Sequence, residues 1–341
     1  SLELENLSRR IWYIIDEVHR LRNLGKATSV DTDSLVFGFY TRGAERLVGE
    51  PYRNFIKWLL SSQEDDGSWR FKPRRKEQEN LGRKGDTAVG ICMEKLVHIA
   101  FYYRLTGDEE VYSRLVKGLN YTRRFTRPEG AQTWEVPLHA PDIYASALAV
   151  QTYVDMYEAT GDRGYLAEAV KWAYRGLPFI YLWRAHDREI MLYATIPVFA
   201  SSFYRHPWFG RAVQWNGLAY AYSLQRLAKH DDSLPWDVIA RGILYSAIDQ
   251  MLKSPVYGYY PDSYDIVEDH PNPAWINPEL ILRNVLMLKD YDLYLHTRLI
   301  KTDGMAFRVT CNAVVEEAKI DGVRVNLRLR YIPGLPVHLF I

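Results

Sequence analysis

A chain of 341 residues that is 48% hydrophobic and 25% charged has ample apolar material for a large core, which excludes disordered and collagen-like classes. Lys and Arg total 43 against 42 Asp and Glu, so the formal charge of +1 lacks the basic footprint of a dedicated nucleic-acid binder. Aromatic residues reach 14%, with 25 Tyr, 10 Trp and 12 Phe, and such rings serve either as core or as flat platforms for sugars and other planar ligands.

Cys92 and Cys311 have neither the spacing of a disulfide framework nor that of a zinc site. Glu3, Glu5, Asp16 and Glu17 interrupt the first segment, which is therefore no signal-peptide core. The longest uncharged run, residues 190–204, is too short to span a bilayer. No membrane or nucleic-acid partner is expected, and the compartment is left open, as is the oligomeric state.

In chain order, the pattern predicts a leading helix at 4–24 and then a series of helical hairpins. Their turns are marked by Val48-Gly49-Glu50-Pro51-Tyr52, by Thr106-Gly107-Asp108 before Tyr112, and by Thr160-Gly161-Asp162 before Tyr165. A weaker copy is Lys229-His230-Asp231 before Trp236. Spacings of roughly 55 to 70 residues point to stacked hairpins. Residues 142–159 are apolar nearly all round and read as a buried inner helix, whereas 165–175 set Glu168, Lys171 and Arg175 against Leu166, Val170 and Ala173. The same contrast pairs 87–105 with 109–124, and 216–228 with 235–252. A further helix is predicted at 278–290.

Near residue 303 the period changes to two. Val323, Val325, Leu327, Leu329 and Tyr331 alternate with Arg324, Asn326, Arg328 and Arg330 after an Asp321-Gly322 turn, the pattern of a half-buried hairpin strand. Residues 305–310 and 336–341 read as neighbouring strands. The expected fold class is mainly α: an (α/α) toroid over 1–300, followed by a small C-terminal antiparallel β region over 301–341. The apolar end Val337-His338-Leu339-Phe340-Ile341 is expected either to dock as a strand or to continue into a larger β domain.

Short turns at one end of a toroid leave the long connections, 61–86, 125–142, 177–215 and 253–277, at the other, where binding groups are expected. Asp33, Asp86, Asp142 and Asn216 stand at the predicted inner-helix starts and suit N-caps. Asp86 and Asp142 are also the carboxylates expected at the cavity mouth, where a pair with separated pKa values can divide acid and base work. Trp134, Glu135, His139, Asp142 and Tyr144 lie within one Pro-stiffened stretch, making His139 and Tyr144 candidate catalytic assistants. Arg205, His206, Trp208, Arg211, Gln214, Trp215 and Asn216 mix cations, amides and rings suited to an anionic, stacked ligand. No phosphate-binding glycine loop, dinucleotide motif, Gly-x-Ser-x-Gly elbow or His-Glu-x-x-His occurs. His186-Asp187-Arg188-Glu189 lacks paired ligand spacing, so no metal is expected.

The alternation of buried and amphipathic helices with Thr-Gly-Asp turns, over roughly residues 30–290, resembles the six-hairpin (α/α)6-toroid superfamily of carbohydrate-active enzymes. Similarity to its unsaturated glucuronyl hydrolases implies hydrolysis of an acidic, uronate-containing oligo- or polysaccharide, with Asp86 and Asp142 in the aspartate roles. Similarity to heparinase- and alginate-type lyases implies instead β-elimination by Tyr144 and His139, with Asn216 and Arg205 neutralising the uronate. A non-catalytic glycan-binding module is the third expectation. Neither reaction needs a cofactor. Residues 55–69, with Gln63, Gly67 and Trp69, also resemble the QW repeat of terpene cyclases, which implies a structural tie between a helix end and the next turn.

Overall fold

The computed structural model describes residues 49–201, 208–289, 295–302, 305–322, 324–331, 333 and 337–341. The predicted helix at 4–24, together with Asp33, Tyr204, Arg205 and His206, lies outside the described residues. Eight α-helices are present among those described: α1 Glu50–Ser61, α2 Val89–Thr106, α3 Glu109–Thr122, α4 Ile143–Thr160, α5 Arg163–Gly176, α6 Gln214–Leu227, α7 Trp236–Leu252 and α8 Glu279–Leu288.

The repeated Thr-Gly-Asp turn has one physical solution. In the α4–α5 turn, Gly161 adopts φ 75°, returns its N–H to Tyr157 O, and so ends α4 in the left-handed conformation that glycine tolerates best. Thr160 Oγ1 donates to Met156 O at 2.6 Å and accepts from Asp162 N at 3.2 Å. Asp162 then caps α5 by accepting from Gly164 N at 2.8 Å. Between α2 and α3, Thr106 Oγ1 likewise donates to Tyr102 O at 2.9 Å and accepts from Asp108 N at 3.3 Å, with Gly107 at φ 68°. The weaker fourth copy works differently: Asp231 Oδ1 accepts from Trp236 Nε1 at 2.8 Å, anchoring the first residue of α7.

The described residues of Ser1–Ser61, Phe101–Glu109 and Lys289–Ile341 form one compact unit, and those of Ser62–Ala100 and Glu110–Leu288 another. In the larger unit α4 and α6 are buried on nearly all sides, as their apolar sequences require, whereas α3 and α5 bury one stripe each. Cross-links are made by small polar groups whose partners are carbonyls of the neighbouring helix. Ser146 Oγ donates to Trp172 O at 2.6 Å, and Ser223 Oγ donates to Ala147 O at 3.1 Å. The α8 helix docks on α6 through Asn284, which accepts from Gln225 Nε2 at 2.7 Å and donates to Leu218 O at 3.0 Å. The QW-like segment acts as a tie: Gln63 Nε2 reaches Gly67 O and Arg114 O, both at 3.0 Å, while Arg114 Nε returns a bond to Gln63 Oε1 at 2.7 Å.

A three-stranded antiparallel sheet, β1 Arg211–Ala212, β2 Tyr260–Asp265 and β3 His270–Ile276, occupies what the sequence presented as loops. Pro261, Pro271 and Pro273 break the alternation that marks a strand, and a proline-bearing β3 is tolerated because it lies at the sheet edge. The smaller unit holds α1 and two further antiparallel sheets. One contains β4 His296–Thr302, β5 Met305–Cys311 and β8 Leu339–Phe340. The other is the hairpin of β6 Val314–Asp321 with β7 Arg324–Arg330, in which Asp321 faces Arg324 across the predicted turn. The terminal strand is docked on β5 through Phe340 and Leu339.

Candidate functional site

Two long connections are stitched together where α4 begins. Asp142 N donates to Pro128 O, Ile143 N donates to Pro197 O, and Phe199 N donates to Pro141 O. The chain before α4 is thereby fixed against residues 195–199, and α6 is fixed to the same segment through Val213 N and Thr195 O at 2.9 Å. Gly217 permits that approach, since a Cβ there would stand 2.3 Å from Thr195 Oγ1.

Between these connections and the β1–β2–β3 sheet lies a cavity of about 570 Å³, within the usual range of small-molecule sites. Gln132, Trp134 and Glu135 line it from the loop before α4, Pro197, Trp208, Arg211 and Val213 from the next connection, and Trp215 from the first turn of α6. Asp262 and Ser263 of β2 and Asn272, Pro273 and Ala274 of β3 complete the wall. Trp215 is held between Trp134, at 6.1 Å between ring centroids and 32° between planes, and Tyr144, edge-on at 5.5 Å. Trp208 is buried among Val136, Ala140, Val198 and Val213. Arg211 faces Asp265 across the strand pair, with 3.8 Å between charged groups.

Asp142 is fully buried and caps α4, accepting from Ala145 N at 2.7 Å and from Ala131 N at 3.1 Å. Burial nonetheless dominates and pushes its carboxyl up to about 7, against the lowering effect of those N–H groups and of the Gln132 side chain. Asp142 does not line the cavity, whereas Gln132 does. Asp86 is not a cap, because α2 starts at Val89. Its backbone pairs with Phe71, and its side chain is not part of the cavity wall. Asn216 is also no cap: it is the third residue of α6, fully buried, and donates from Nδ2 to Gln132 Oε1 at 3.2 Å.

Gln214 is turned inward. Its Oε1 accepts from Thr195 N and Gln250 Nε2, and its Nε2 donates to Tyr193 O and Ile243 O, so the amide is occupied in tying α6 to α7 and residues 193–195. His139 is about half exposed and shares Nδ1 with Glu129 Oε1 at 2.9 Å, while Arg127 pairs with the other oxygen of Glu129 at 2.9 Å. His139 and Tyr144 are outside the cavity wall. Glu129, Gln132, Asp262 and Asn272 carried no motif in sequence; their roles come from the loop crossings and from the proline-masked sheet. Among the described residues, Asp265, Glu268 and His270 bring ligand atoms within 4.8 Å of one another on the β2–β3 hairpin. Asp265 there also accepts from Val267 N and Glu268 N and faces Arg211, so the group is already engaged.

No known protein-family profile matches the chain, and no curated protein matches it. Solved structures do. A cellobiose 2-epimerase from Bacillus thermoamylovorans aligns at 13% identity over 78% of this chain and 74% of that one, with a TM-score of 0.53. A sugar epimerase from a ruminal bacterium aligns at 13% over 78% and 75%, with 0.52. An unsaturated glucuronyl hydrolase from a Bacillus species aligns at 14% over 75% and 74%, with 0.49. The fold class they share with this chain is mainly α, an (α/α) toroid, here with small antiparallel sheets toward the C-terminus. Among the described residues, no helix is long and apolar enough to cross a membrane.

Proposed function

We propose that the protein is a carbohydrate-active enzyme that binds a saccharide in this cavity and hydrolyses its glycosidic bond. The observation that carries the reading is the grouping of Trp134, Trp208 and Trp215 with the carboxylates Glu135 and Asp262 and the cation Arg211 around one cavity. Rings offer stacking faces for pyranose units, and two carboxyl groups are the minimum for general-acid and general-base work. Glu135 and Asp262 replace Asp86 and Asp142 as the acid/base candidates, because they reach the cavity and the aspartates do not. Arg211 supports an acidic sugar as substrate. Two solved structures that share the fold are, by name, saccharide epimerases.

The test is a panel of neutral and glucuronate-containing oligosaccharides, scored for new reducing ends, for ultraviolet-absorbing unsaturated products and for isomerised sugar without cleavage. Glu135→Gln and Asp262→Asn should each lower kcat by at least about 100-fold, the scale of lost acid/base catalysis, while Asp86→Asn keeps turnover. Cleavage that survives both cavity variants rules out the assignment. An unsaturated product identifies elimination instead.

A further inference from the structure

We infer that Ser263 and Asn272 form the hydroxyl-recognition face of the cavity, a pair of neutral side chains that hydrogen-bonds the ring hydroxyls of a sugar whose acidic substituent lies toward Arg211. The inference rests on the saccharide reading above for the ligand's class, and adds to it which groups read the hydroxyls. Its basis is strand register. Arg211 is the cross-strand partner of Asp265, and Ser263 is that of Asn272. Cross-strand partners point to one face of a sheet, as do residues two apart along a strand, so Arg211, Asp265, Ser263 and Asn272 share a face. Ala212 and Tyr264 are paired on the other face, packed with Ile190, Met191 and Ala194. The cavity is therefore met by the polar face, and Arg211, Ser263 and Asn272 all line it.

On that face the charged pair is engaged and the neutral pair is not. Arg211 and Asp265 stand 3.8 Å apart, and Asp265 also accepts from Val267 N and Glu268 N. Asn272 Nδ2 is buried with no hydrogen-bond partner. Ser263 is only 2% exposed, and among the described residues its hydroxyl makes no hydrogen bond. Polar groups are seldom buried in this state, because unmet hydrogen-bonding capacity costs stability. A hydroxyl and a carboxamide can each donate and accept, which matches a sugar hydroxyl, itself both donor and acceptor. No hydrogen bond fixes either end of the Asn272 amide, so a half-turn about its last bond sets oxygen or nitrogen toward the ligand. Ser263 precedes Asp265 by two residues, about 7 Å along the strand, a span that suits the carboxylate and the far hydroxyls of one hexuronate ring.

The experiment pairs binding with stability in Ser263→Ala, Asn272→Ala and the double variant. Tryptophan fluorescence is titrated with cellobiose and with cellobiouronic acid, and urea midpoints are measured on the same proteins. Asn272→Ala should weaken whichever sugar binds by about three- to tenfold, and the double variant should weaken it by at least about tenfold, the scale of one and of two neutral hydrogen bonds. The urea midpoint of Asn272→Ala should stay at or above the wild-type value, since no protein partner loses a bond, whereas an amide employed in the fold would lower it. When the wild-type protein binds sugar, unchanged affinity in the double variant or a lowered midpoint in Asn272→Ala overturns the inference and leaves the saccharide reading standing. Wild-type protein that binds neither sugar rejects the saccharide reading itself, and this inference with it.

Discussion

Trp134 and Trp215 face each other across 6.1 Å on the cavity wall, yet they are held there very differently. Trp134 is 41% exposed at a loop tip, whereas Trp215 sits in the first turn of α6 and meets Tyr144 edge-on. The two rings therefore differ in how much of the fold depends on them.

Trp134→Ala should therefore abolish most of the saccharide-induced fluorescence change while shifting unfolding by under about 1 kcal/mol, as is usual for exposed positions. Trp215→Ala should weaken the ligand response too, and additionally destabilise the fold by about 2–4 kcal/mol through lost packing. Paired titration and urea unfolding of both variants check this contrast.

Asp142 predicts an unusual pH dependence. A carboxyl at about 7 in the folded chain and near its ordinary 3.8 when unfolded binds the extra proton in the native state between those values. Stability should therefore fall as pH rises from about 4 to about 7, and level off above. Asp142→Asn should flatten this slope. It should also cost about 1–3 kcal/mol, because an amide cannot accept from both Ala145 N and Ala131 N. Urea midpoints measured across this pH range provide the check, and a slope of opposite sign refutes it.

The Gln63–Arg114 tie is predicted to be purely architectural. Gln63→Ala removes three hydrogen bonds to groups that have few substitutes and should lower stability by about 1–3 kcal/mol. Sugar affinity and turnover should stay at wild-type level, as Gln63 is not part of the cavity wall.

Deeper in the helical unit, Arg226 is 1% exposed and joins Asp155 at 2.9 Å and Glu158 at 2.6 Å, while His230 bonds the second oxygen of Glu158 at 3.1 Å. Asp155→Ala leaves a buried guanidinium short of its partner and should cost about 3–5 kcal/mol. Replacing Asp155 and Arg226 together by Leu and Met should cost much less, since the desolvation penalty of both charges disappears with them. Double-mutant unfolding measurements test the difference.

The helices were legible because their causes are local. Thr160, Gly161 and Asp162 each spend their groups within four residues, so the turn announces itself in sequence and repeats at Thr106. Apolar character on all sides gave away α4, and the period of two gave away β7. The cavity was only half legible. Trp134, Glu135, Trp208, Arg211 and Trp215 are chemically conspicuous residues in long connections, and all line it. Asp86 misled because a good capping residue stood three positions before the true helix start, and Gln214 because its amide turns inward. Asp262 and Asn272 were invisible for a different reason: they lie in strands whose prolines erase the alternation, and whose pairing partner β1 is remote in sequence.

That remoteness has a consequence for how the molecule matures. Arg211 can pair with Asp265 only after the whole α6–α7 hairpin between them has been synthesised. A nascent chain that has emerged through Trp215 holds the tryptophans and Arg211 but has no β2 or β3, and thus only one side of the cavity wall. Contacts of such long span form late, because loop closure must precede them. Ligand capture should therefore appear in synthesis as a single late event, when β3 closes on β2, and not build up hairpin by hairpin.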